Sequence, residues 1–300
     1  MKTPHLAFAM LATLGGVVPT PAVAQAQPPY KVSRDVEYGK AGERSLRLDI
    51  YEPRKRSSDI LPVVVWIHGG GWRHGNKSSG AGVLAPFVST GNYVGISVEY
   101  RLSGEAIWPA QIHDCKAAIR WIRANAKKLR VDPDRIGVGG HSAGGHLVSL
   151  LGTSGDTADL EGNNGSPNVS SKVRCVVDLS GPSDLTVFRH VRVDQLFNKP
   201  FDERKELAKA ASPVTYISKD DPPFLIIHGT KDSIVPISQA ELLHDRLEKA
   251  GVESNFVKIE GGGHSINEPE VLKRVMAFFE KHLRNKPVEV SSDPIKSSAK

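Results

Sequence analysis

Three hundred residues with 39% hydrophobic content can bury one large core, and nothing in that length requires a second domain. A net charge of +6, with Lys and Arg scattered among Asp and Glu, makes neither a stripe for nucleic acid nor a face for membranes. The two cysteines, Cys115 and Cys175, are too few and too far apart for a metal site; they read as buried free thiols, with a disulfide as the alternative in an exported chain.

The chain opens with Lys2, an apolar run from Leu6 to Val18 and the small residues Ala22-Val23-Ala24. This is the order of a secretory signal peptide, so residues 1–24 are expected to be removed, with cleavage after Ala24 or Ala26. The run is shorter than the roughly 20 residues of a bilayer span. The mature chain is therefore expected to be secreted or periplasmic, without stable membrane association.

Asp35 to Tyr38 and Ser45 to Tyr51 alternate polar and apolar residues around a glycine turn, as an antiparallel hairpin at a sheet edge does. Leu61 to Ile67 is apolar without alternation, the pattern of a strand covered on both faces. Strands are then expected at Tyr93–Val98, Arg135–Gly139, Val173–Leu179, Phe224–His228 and Ser254–Ile259. Helices are expected at Pro109–Leu129, Ala143–Leu151, Phe201–Ala211, Ser238–Ala250 and Glu270–Leu283. That alternation predicts an α/β fold, a mostly parallel central sheet flanked by helices on both faces, over residues 30–286. Residues 287–300 lack periodicity and read as a disordered tail.

The segments between strands and helices carry the chemistry. Gly140-His141-Ser142-Ala143-Gly144 sits between a strand and a helix, where a Gly-x-Ser-x-Gly turn lifts a serine above the sheet. His68-Gly69-Gly70-Gly71-Trp72 follows the strand ending at Ile67, Asp232 follows the strand ending at His228, and Gly261-Gly262-Gly263-His264 follows the strand ending at Ile259. In this order the motifs resemble the α/β-hydrolase superfamily and, within it, the HGGG-type serine esterases, with small secreted acetylxylan and feruloyl esterases the most similar in form. Only about ten residues separate the expected cleavage site from the hairpin, too few for a large cap domain, so an open cleft is expected.

The resemblance implies roles. Ser142 would be the nucleophile, His264 the general base and Asp232 the carboxylate that orients it, with Asp184 as the competing acid. The N–H groups of Gly70, Gly71 and Ala143 would form the oxyanion hole. Trp72, Trp108 and His190 are candidate walls of the substrate site, with an oxyanion donor as the alternative for Trp72 and a structural role as the alternative for Trp108, while His141 and His146, beside the elbow, are assigned to structure. The loops 152–171 and 182–200 are either further walls or plain solvent loops.

The function implied is a secreted carboxylic-ester hydrolase working through an acyl-enzyme on a small or polysaccharide-linked ester, by preference acetyl or feruloyl esters of plant polysaccharide. No cofactor, metal or nucleic-acid partner is expected. The same residues also accommodate a generic short-chain carboxylesterase, an amidase, formamidase or peptidase on this fold, or a silent binding protein that retains it.

Overall fold

The structure, a computed structural model, describes residues 27–155 and 157–297; the expected signal peptide lies outside the described residues. Among the described residues nine strands form one sheet in the order β1-β2-β4-β3-β5-β6-β7-β8-β9. They are β1 (Tyr30–Ala41), β2 (Arg44–Pro53), β3 (Leu61–Ile67), β4 (Val94–Val98), β5 (Val131–His141), β6 (Cys175–Leu179), β7 (Phe224–Gly229), β8 (Ser254–Glu260) and β9 (Ile295–Lys296). The hairpin β1–β2 is antiparallel and joins β4 antiparallel, and every later pairing is parallel.

Eight α-helices cover the described sheet: α1 (Gly80–Ser89), α2 (Ala110–Ala124), α3 (Ala126–Leu129), α4 (Ala143–Thr153), α5 (Val191–Phe197), α6 (Lys205–Ala210), α7 (Ser238–Lys249) and α8 (Pro269–Arg284). Residues α2, α4 and α7 bury pack with Val63, Val65 and Ile67, whereas those of α1 and α8 pack with Val64 and Trp66. Alternate side chains of β3 therefore feed two cores, which is why its sequence shows no polar face. In α8, Val271, Val275, Phe278, Phe279 and Leu283 are buried at helical spacing, Pro269 stands at the start and Asn285 closes the end in the left-handed conformation. None of the described helices is long and apolar enough to cross a membrane.

Residues 287–297 are not a disordered tail. Ile295 and Lys296 pair with Ile259 and Glu260 of β8, and Val290 and Ile295 are buried. The free edge of β8 supplies the hydrogen bonds that two isolated apolar residues could not announce in sequence. Helix α1, which holds Gly80, Gly82 and Pro86, also lay outside the sequence expectation; burial of Leu84, Phe87 and Val88 outweighs its poor intrinsic propensity. Cys115 and Cys175 are buried free thiols.

Candidate active site

The parallel strands end on one side of the sheet, and the loops that leave them converge there. Ser142 forms the turn between β5 and α4 with φ 58° and ψ −120°, a conformation a serine adopts only when its surroundings impose it. Its N–H donates to Leu179 O at 2.8 Å and its carbonyl accepts from His146 N at 3.0 Å, so backbone on both sides holds the turn. A Cβ on Gly144 would lie 2.1 Å from Ile67 O, which explains why glycine stands there.

Ser142 Oγ lies 2.9 Å from His264 Nε2, and His264 Nδ1 lies 2.7 Å from Asp232 Oδ2. An ionised carboxylate only accepts, so Nδ1 carries the proton and Nε2 is left to accept from the serine hydroxyl. Asp232 Oδ1 in turn accepts from Ile234 N at 2.8 Å and Val235 N at 2.9 Å. Burial alone would raise the Asp232 pKa, but the adjacent His228 and His264 rings and these two N–H groups outweigh it and hold the carboxyl well below the usual range. Asp232 is thus fixed as an anion. Asp184, the competing acid, instead caps its own turn by accepting from Thr186 N and Oγ1.

Two histidines steady the triad. His141 Nε2–H donates to the His264 carbonyl at 2.8 Å, which ties the base's loop to the elbow. His228 Nε2–H donates to Val235 O at 2.8 Å, and the same nitrogen lies 3.2 Å from Asp232 Oδ2. His228 was absent from the sequence expectations as a site residue. Its signal was a lone imidazole near the end of an otherwise apolar strand, four residues before the acid.

The loop after β3 lies across from the triad. His68 stacks on Tyr100 with ring centroids 4.3 Å apart, and Tyr100 donates its hydroxyl to His68 O at 3.1 Å. Gly70 O accepts from Arg73 N and His74 N, closing a turn in which Gly70 has φ 109°. Among the described residues, the N–H groups of Gly70, Gly71 and Ala143 donate to no backbone carbonyl in these turns. They are free to receive a developing oxyanion.

A cavity of about 380 Å³ opens over Ser142, lined among others by Gly71, Trp72, Phe188, His190, Arg192 and Ile234. His190 stacks on Phe188 and accepts from Arg192 N at the start of α5, so the loop 182–200 is a wall. Trp72 reaches the cavity, but its indole is committed: Nε1–H donates to His146 Nδ1 at 3.2 Å. His146 Nε2–H donates to Ala211 O, and complete burial pushes the ring down to about 4, so it stays neutral. Trp108, expected as a wall, does not line the cavity; it is buried between His146 and Phe197 and supports α5 from beneath. The loop 152–171 is also not a wall. Glu161 turns it toward α2, pairing with Lys116 at 2.7 Å and Arg120 at 2.6 Å. On the far side of His141 a larger apolar cavity of about 490 Å³ lies between α1 and α8 and contains no member of the triad.

A strained serine between strand and helix, a histidine and buried aspartate on later loops and a glycine turn beyond the third strand define the class: an α/β-hydrolase with a serine-centred site and, among the described residues, no large cap. Within that class the chain belongs to the BD-FAE family, whose family model matches residues 48–247. It is 32% identical to Esterase LipC of Mycobacterium tuberculosis over 79% of this chain and 60% of that one. The chain spans about half to three-fifths of the curated relatives it matches over most of its own length. Among solved structures, a truncated carbohydrate esterase from gut microbiota is 32% identical, with a TM-score of 0.78 over 86% of this chain and 99% of that one. An acetyl ester-xyloside bifunctional hydrolase from Caldicellulosiruptor lactoaceticus is 29% identical, with a TM-score of 0.66 over 81% and 86% of the two chains.

Proposed function

We propose that this protein is an exported serine hydrolase of carboxylic esters that works through an acyl-enzyme, on acetyl or feruloyl esters of plant polysaccharide. The observation that carries the reading is the 2.9 Å approach of Ser142 Oγ to His264 Nε2 on a strained turn. In the first half-reaction His264 takes the serine proton as Oγ attacks the ester carbonyl carbon. The carbonyl oxygen becomes the oxyanion and is received by the N–H groups of Gly70, Gly71 and Ala143. Collapse expels the alcohol, which receives its proton from His264. Water then repeats the sequence on the acyl-enzyme and releases the acid. Asp232 remains ionised throughout and stabilises the imidazolium.

An open cavity with a glycine floor suits a small acyl group on a bulky alcohol. The similarity to a carbohydrate esterase and to an acetyl ester-xyloside hydrolase supports a carbohydrate ester. The charged, apolar and small-residue order of the N-terminus supports export. Initial rates on acetylated xylan, methyl ferulate and 4-nitrophenyl acetate and octanoate, with Ser142→Ala alongside, test the substrate. Release from xylan or ferulate that vanishes in the variant is expected; turnover confined to the synthetic esters would contradict the polysaccharide assignment.

A further inference from the structure

The cavity over Ser142 holds one permanent charge that the triad does not use. Among its described lining residues Arg192 alone is always ionised, and none is a carboxylate. Asp232 lies out of reach behind His264, fully buried. The Arg192 stem lies against the glycine turn, with its Cγ 2.9 Å from where a Cβ on Gly71 would stand. Its Nη1 donates to Gln195 Oε1, a neutral acceptor, at 2.9 Å.

Neighbouring acids are engaged elsewhere. Asp194 pairs with Arg204 at 2.8 Å, Asp202 faces Arg189, and Asp184 caps Thr186. The support is built. Arg204, fully buried, donates to Leu185 O and Phe188 O, while the backbone N–H of Trp108 donates to Leu196 O, so the segment that carries Arg192 is tied down at both ends. Arg192, half-buried and without an acidic partner among the described residues, stands beside the place where the ester must sit and offers a planar fork to a carboxylate.

We propose that Arg192 forms a carboxylate-binding subsite on the rim of the cleft, and that the preferred substrate is an ester that also carries a carboxylate. The proposal rests on the esterase reading. The carboxylate has two possible sources, the acyl part, as in a monoester of a diacid, or the alcohol part, as in an acetylated uronic acid.

Two matched pairs test it at low ionic strength in the wild type, Arg192→Met and Arg192→Lys. The first pair is 4-nitrophenyl hydrogen succinate against 4-nitrophenyl methyl succinate, and the second is acetylated galacturonic acid against its primary amide. The ratio of kcat/KM within a pair is read, so any general loss from disturbing Gly71 cancels. The expected result is a preference of about 10-fold for the anion in one pair. That preference should collapse toward unity in Arg192→Met, mainly through KM, and be kept in part by Arg192→Lys; the responding pair identifies the source. Turnover of neutral esters with no anion preference in either pair, or a preference that survives in Arg192→Met, overturns the subsite alone. No turnover of any ester overturns the esterase reading and the subsite together.

Discussion

His228 Nε2 lies 3.2 Å from Asp232 Oδ2, the same oxygen that faces His264 at 2.7 Å. His228 is wholly buried, and its N–H also donates to Val235 O, whose own N–H returns to Asp232 Oδ1. The imidazole therefore closes the loop that holds the acid. Replacing it with leucine should free the loop and misplace the carboxylate, lowering kcat by about 10- to 100-fold with a smaller change in KM. His228→Gln keeps a donor for Val235 O and should recover most of that loss. Equal losses in both variants would mean that His228 only fills space.

The glycine turn is equally intolerant. A Cβ on Gly70 would lie 2.3 Å from His74 O, at a φ of 109° that side chains rarely adopt. Gly70→Ala should displace the oxyanion donors and lower kcat by about 100-fold or more. Steady-state rates beside a melting curve will separate this from unfolding, since much of the loss should persist well below Tm.

Acid should weaken the protein in two windows. His146 is neutral in the fold with a pKa of about 4 against an ordinary 6.5, because burial disfavours its charge. The unfolded chain binds a proton that the folded one refuses, so this contribution is complete above 6.5 and is lost as pH falls toward 4, by about 3 kcal/mol at the limit. Asp232 is depressed, so its contribution is complete above the ordinary carboxylate range, near ~3.9, and is lost only below it. Thermal unfolding of His146→Gln should show a shallower fall in Tm between pH 7 and 4.5 than the wild type. An unchanged slope would remove His146 as the source. Protonation would also cost His146 Nδ1 its role as acceptor for Trp72, coupling acid to the glycine turn.

The C-terminal segment should matter to stability. Ending the chain at Lys286 would expose the edge of β8 and remove buried Val290 and Ile295, along with the bond from Ser297 Oγ to Glu268, four residues beyond His264. A Tm lower by several degrees is expected by thermal scan. An unchanged Tm would make β9 ornamental.

What the sequence made legible were features with a local cause. Ser142, Asp232, His264 and the glycine turn each stand just after a strand that is apolar enough to read, and the fold brings those strand ends together. Features that depend on distant partners were not legible. Helix α1 forms despite its glycines and proline because Phe87 and Leu84 have a core to enter, and β9 exists because β8 offers an edge. Trp108, just before the helix α2 and a candidate wall in sequence, is separated from the cleft's charged rim by α5, a helix with no readable period.

Labelling with a fluorophosphonate, read by intact mass and peptide mapping, examines the nucleophile itself. One adduct per chain is expected, located on Ser142, absent in Ser142→Ala and greatly slowed in His264→Ala. A wild-type protein that takes no label, or an adduct that persists in Ser142→Ala, would contradict the assignment of Ser142 and the mechanism built on it.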